Sequence, residues 1–84
     1  MTIEEILHNL EEPNRQAFST NLDGYHGQLI VQKARELGFR DRESHSECQV
    51  ASYERHLGKA GWCLDVIQSN FLGSFTDVNL YHSP

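Results

Sequence analysis

Apolar positions along this chain recur mostly at helical spacing. The longest such stretch is 25–39, YHGQLIVQKARELGF. Ile30, Val31, Ala34 and Leu37 fall at i, i+1, i+4 and i+7, one face of a helix. Leu29 and Tyr25 widen that face. The Lys33 stem can bridge Leu29 and Ile30 while its ammonium reaches water. Gln28, Gln32, Arg35 and Glu36 take the other side. Gly38 followed by Phe39 predicts a Schellman ending, with glycine in the left-handed position. So broad an apolar arc needs cover on more than one side, and the flanking segments are expected to supply it.

Residues 2–10 predict a first helix. Thr2 and Glu5 make a T-x-x-E capping box, and Ile3, Ile6, Leu7 and Leu10 form its stripe. Pro13 restricts Glu12, so this helix should stop near residue 11 or 12. Residues 14–22 read as a weaker, short helix with Pro13 in its first turn and Ala17, Phe18 and Leu22 facing inward. Asp23-Gly24 is a turn signal. Its rival reading is a hairpin pairing 18–22 with 25–30. Asp23 is also the candidate cap of the central helix.

Beyond Phe39 comes the polar run RDRESHSE. Ser44 and Glu47 form a second capping box, which predicts a helix to Leu57 with the narrow stripe Val50, Tyr53 and Leu57. Residues 58–61 are a tight turn. Residues 62–72 read as a helix with Cys63, Leu64, Val66, Ile67 and Phe71 on one face and Gly73 as its stop. A strand reading competes here: Trp62, Leu64 and Val66 alternate, as do Thr76, Val78 and Leu80. The fold expected is therefore mainly α, a compact bundle of four to five short helices around residues 25–37. It spans 1–84 as a single domain, with 76–84 as a tail open to an extended form. The alternative is α+β with a C-terminal β-hairpin.

Size and composition narrow the class. Eighty-four residues make one core. With 38% hydrophobic and 23% charged residues, the chain suits a folded domain rather than a disordered one. No apolar run approaches the roughly 18–20 residues of a membrane span. The first ten residues are acidic, unlike a secretory leader, so a cytoplasmic protein is expected. Two cysteines, Cys48 and Cys63, are too few for a disulfide framework and are read as reduced thiols.

The formal charge of −5 is unevenly spread. Glu4, Glu5, Glu11 and Glu12 give residues 1–12 a purely acidic character. Lys33, Arg35, Arg40 and Arg42 form the only basic cluster, on and just after the central helix. A nucleic-acid binder usually needs a dominant basic face, so nucleic acid is a disfavoured partner. An acidic surface instead attracts a basic protein surface.

No catalytic or metal set assembles from these spacings. His45, Gln49, Ser52 and His56 would share one helical stripe beside Cys48. At about 1.5 Å rise per residue, His45 and His56 would stand about 16 Å apart, too far to share a metal. His45 with Cys48, or His56 with Cys63, gives two ligands where zinc takes three or four. A Ser52–His56 dyad lacks an orienting acid, since Glu54 would face away on a helix. Residues 45–57, a glycine turn and 62–72 have helix-turn-helix lengths, but the second helix would carry no lysine or arginine.

The expected function is a small, non-enzymatic protein-binding module without cofactors. It would act as an inhibitor or adaptor by occupying the surface of a larger protein or complex. Very small acidic inhibitors encoded by phages, of the anti-CRISPR or anti-restriction type, belong to this class. Glu4, Glu5, Glu11, Glu12, Arg35, Arg40 and Arg42 are the candidate contact residues. A homodimer is compatible with the size, and a helix-turn-helix regulator using 45–72 is the alternative.

Overall fold

Helix α1 runs Ile3–Asn9, and its capping box forms in both directions between Thr2 and Glu5. The hydrogen bond from the Thr2 backbone, then that from its hydroxyl, holds the Glu5 carboxyl below its ordinary pKa. Helix α2 runs Gly27–Glu36. Its end is the Schellman motif expected: Phe39 N–H donates to Ala34 C=O at 3.0 Å and Gly38 N–H to Arg35 C=O at 3.0 Å. Gly38 has φ of +100°, which an L side chain rarely adopts.

Among the described residues no further α-helix forms, and the helical bundle is overturned by a sheet. The computed structural model describes residues 1–43, 50–70 and 72–83. Five strands form one antiparallel sheet: β1 (Phe18–Asp23), β2 (Arg40–Asp41), β3 (Ala51–Lys59), β4 (Trp62–Ser69) and β5 (Phe75–His82). Their spatial order is β1-β5-β4-β3-β2. The short helix expected over 14–22 is β1 from Phe18 onward. The turn at Asp23-Gly24 leads from β1 into α2, so the hairpin of 18–22 on 25–30 does not form either; β1 pairs with β5, Phe18 opposite Leu80. The helix expected up to Leu57 is β3 over 51–57, and its proposed cap at Ser44 and Glu47 lies outside the described residues. The helix expected over 62–72 is β4 over 62–69. Residues 75–82 are no loose tail. β4 and β5 pair with each other, Leu64 opposite Leu80 and Val66 opposite Val78. They do so as inner strands of a five-stranded sheet, not as a hairpin appended to helices.

Alternation explains why strands win. Along β4 the even residues Trp62, Leu64, Val66 and Gln68 share one face. Along β5 the even residues Thr76, Val78 and Leu80 do the same. Both helices lie on that face. Ile6 and Leu10 of the α1 segment, Ile30, Val31 and Ala34 of α2, and Phe39 pack with Leu22, Leu57, Leu64, Val66, Val78 and Leu80 in one core. Burying a Leu or Val side chain contributes about 1.5–3 kcal/mol, so this face decides the register. A slip of one residue would turn every one of those side chains to water.

Turn geometry agrees. Lys59 pairs with Trp62 across a two-residue connection, and Ala60 and Gly61 have φ of 49° and 83°. Positive φ at both central residues is the turn whose twist matches a hairpin. Among the described residues no helix is long and apolar enough to cross a membrane.

Candidate functional site

The helices cover one face of the sheet, and among the described residues no helix packs on the other, the open face. On it lie the odd residues of β1, β5 and β4 and the even residues of β3. Thus Ser19, Asn21 and Asp23 stand beside Phe75, Asp77, Asn79 and Tyr81, then Cys63, Asp65, Ile67 and Ser69, then Glu54 and His56. Cross-strand pairs tie this face together. Ser19 Oγ donates to Asn79 Oδ1, and Asn21 Nδ2 donates to Asp77 Oδ1.

At the β3–β4 side the pairs merge into a cluster. Asp65 Oδ1 takes Arg42 Nη2 at 2.6 Å and lies 2.6 Å from His56 Nδ1. Asp65 Oδ2 accepts from the Tyr81 hydroxyl at 2.9 Å, and Arg42 Nη2 also donates to that hydroxyl at 2.7 Å. Glu54 Oε1 sits 2.8 Å from His56 Nε2. Burial first, then the hydrogen bond and charge of Asp65, hold the Tyr81 phenol above its ordinary pKa; Arg42 acts weakly the other way. The strand changes the expected geometry here. Glu54, which a helix would turn away, shares the face of His56 because residues two apart do so on a strand. Ser52 and His56 stand about 13 Å apart at strand rise, so they do not form a dyad. Both imidazole nitrogens lie against carboxylates of the same cluster.

The other end of the face differs. Asp77 faces Asn21 and Asp23 faces Phe75, so the two carboxylates are diagonal neighbours on the same face, two pairs apart in the register. Neither carboxylate has a cation within ion-pair distance among the described residues. Diagonal neighbours of this kind stand about 7–8 Å apart, a gap that one cation can bridge. Ser19 and Asn79 hold each other and Asn21 holds Asp77, so a ligand would find these neighbours ordered.

The residues singled out by sequence are dispersed. Glu4 and Glu5 are exposed on the first turn of α1. Glu11 meets Lys33 at 3.4 Å, and Glu12 meets Arg15 at 2.9 Å. Arg35 is held by Asp41 at 2.9 Å, which raises its pKa through the hydrogen bond first and the charge second. Arg40 is exposed and donates to Phe39 C=O. Arg42 turns into the open face. Arg35 and Arg42 thus end on opposite sides of the sheet and share no patch.

Arg35 does line a shallow groove of about 580 Å³ between α2 and β3, together with Tyr53 and Arg55. Arg55 lies 4.3 Å over the Tyr53 ring and donates to Glu54 C=O. Both guanidinium groups of the groove are therefore engaged. His45 and Cys48 fall outside the described residues. Cys63 is a free thiol. Among the described residues no three His, Cys, Asp or Glu side chains gather to hold a metal ion.

Sequence reading missed Asp23 and Asp77 as a pair, and Asp65 with Tyr81. The signal was period two. In FSTNLD and TDVNLY every second position is polar or tyrosine, and the pairing of β1 with β5 sets those positions side by side. Comparison with known proteins gives no relative: no family model, no curated protein and no solved structure matches the chain.

Proposed function

We propose that the chain is a protein-binding module that docks through the open face of its sheet on a lysine- and arginine-rich partner surface. It acts there by occupation, as an inhibitor or adaptor, and a cytoplasmic setting suits its free thiol. The observation that carries this reading is the diagonal pair Asp23 and Asp77, on the face opposite the helices and without an ion-pair partner among the described residues. A partner guanidinium or ammonium placed between them gains charge-assisted hydrogen bonds. The surrounding Ser19–Asn79 and Asn21–Asp77 bonds reduce the ordering cost of docking. The predominance of acid over base makes a phosphate backbone a poor occupant.

The test is affinity capture from the native host, repeated with charge-reversed variants. The double variant Asp23→Lys/Asp77→Lys is expected to weaken partner binding at least about tenfold, about 1.4 kcal/mol, and to flatten its salt dependence. Glu4→Lys/Glu5→Lys, at the exposed end of α1, should leave it unchanged. The reverse outcome would place the interface on α1. Binding indifferent to both would end the electrostatic reading, and a shift of labelled DNA or RNA that weakens with salt would replace it.

A further inference from the structure

The sheet has two edges, and they are built differently. β2 is two residues long, Arg40–Asp41, and is followed by Arg42. Short length and arginine are common protections against unwanted strand pairing. β1 is six residues long, FSTNLD. It holds no lysine, arginine, proline or glycine, and its only charge is Asp23 at the last position.

The direction of its main-chain groups follows from one bond. Gly24 N–H donates to Ser74 C=O at 2.7 Å, in the register that sets Leu22 opposite Thr76. Alternate residues of a strand point their amide groups the same way. Phe18, Thr20 and Leu22 therefore spend theirs on β5. Ser19, Asn21 and Asp23 point theirs outward from the sheet. Asp23 C=O lies 2.8 Å from His26 Nε2. The Ser19 and Asn21 amides and carbonyls have no partner among the described residues.

This edge is self-complementary. Antiparallel pairing with a second copy about a two-fold axis at Thr20 puts Phe18 opposite the second copy's Leu22, both on the helix side. It puts Ser19 opposite Asn21, both on the open side, and Thr20 opposite Thr20. Ser19 and Asn21, the residues with outward amides, become the hydrogen-bonded pairs. An axis at Asn21 would instead set Thr20 against Leu22 and Ser19 against Asp23. Over Phe18–Leu22 the Thr20 axis matches apolar with apolar and polar with polar, and only Asp23, at the strand end, falls opposite an apolar residue, Ala17.

We infer that the chain forms a symmetric dimer in which two β1 edges pair antiparallel about Thr20, fusing two five-stranded sheets into one. The shared interface is small, so the dimer is concentration-dependent. The inference is independent of what docks on the open face.

Sedimentation from micromolar to near-millimolar concentration should show monomer passing to dimer. Asn21→Pro removes an amide that the monomer does not use, and is expected to weaken the dimer at least tenfold with an unchanged circular dichroism spectrum. Thr20 would sit in a non-hydrogen-bonded pair, where Cα atoms approach to about 4.5 Å, within disulfide reach. In a chain with Cys48 and Cys63 changed to serine, Thr20→Cys should therefore yield a covalent dimer under mild oxidation, and faster than Asn21→Cys. A chain that stays monomeric throughout overturns the inference. So does a dimer that a folded Asn21→Pro variant retains, or one that crosslinks through residue 21 in preference to 20.

Discussion

Tyr81 shows how one exposed-looking residue ties charge to stability. Its hydroxyl joins Arg42 and Asp65 at the margin of the open face. Burial, and then Asp65, keep its proton on to higher pH than in an unfolded chain, where tyrosine titrates near about pH 10. The folded state thus binds this proton more tightly. The associated stability is fully present below the unfolded pKa and is lost as pH rises through the higher folded one. Tyr81→Phe is expected to flatten the alkaline limb of a plot of urea midpoint against pH. If both proteins lose stability alike above pH 10, another group drives the loss. None of this was legible in sequence, because Arg42, Asp65 and Tyr81 meet only through the pairing of β2, β3, β4 and β5.

At the scale of elements, the point of interest is how α2 is fastened. Its first amides have no cap of their own: Asp23 does not reach them, and the cap residue His26 makes no side-chain bond there. The sheet supplies the acceptors. Thr76 Oγ1 accepts from His26 N–H at 3.0 Å and donates to Gly24 C=O at 2.8 Å, and Gln68 Oε1 accepts from Gly27 N–H. Both side chains are buried polar groups of the inner face. Thr76→Val keeps the shape but strands an amide and a carbonyl, and should cost about 1–3 kcal/mol in urea denaturation. A loss under about 0.5 kcal/mol, ordinary for a surface change, would mean that water replaces the hydroxyl. Local signals did reveal the capping box of α1 and the Schellman end of α2, because both motifs are written within a few residues. β3 and β4 were misread for a physical reason. Val50, Tyr53 and Leu57 lie at helical spacing by coincidence. In β4, Cys63 and Ile67 add apolar residues on the open face, which blurs the alternation of Leu64 and Val66 into a broad helical arc. Strand preference depends on the neighbouring strands, and those are far away in the sequence.

Across the whole molecule, the contacts that close the sheet are long-range. Ser19 and Asn79, sixty residues apart, hydrogen-bond across β1 and β5. Mixed folds rich in such contacts fold more slowly than helical bundles, which take microseconds to milliseconds. Trp62 is the only tryptophan and its ring lies 4.5 Å from that of His82, so its fluorescence reports β4–β5 closure. Stopped-flow refolding should show this signal changing in milliseconds or slower, and completion within microseconds would contradict the sheet. The position of β5 between β1 and β4 then has a consequence for biosynthesis. While the chain is being translated only local contacts such as the β3–β4 turn are within reach, since helices as short as α1 and α2 are marginal without the sheet. β1 meanwhile has no neighbour, and the apolar side of β4 is only half flanked. The nascent chain stays open along that seam until residues 75–82 have left the ribosome, with apolar side chains unburied and a strand edge unpaired, the features that make folding intermediates prone to aggregate.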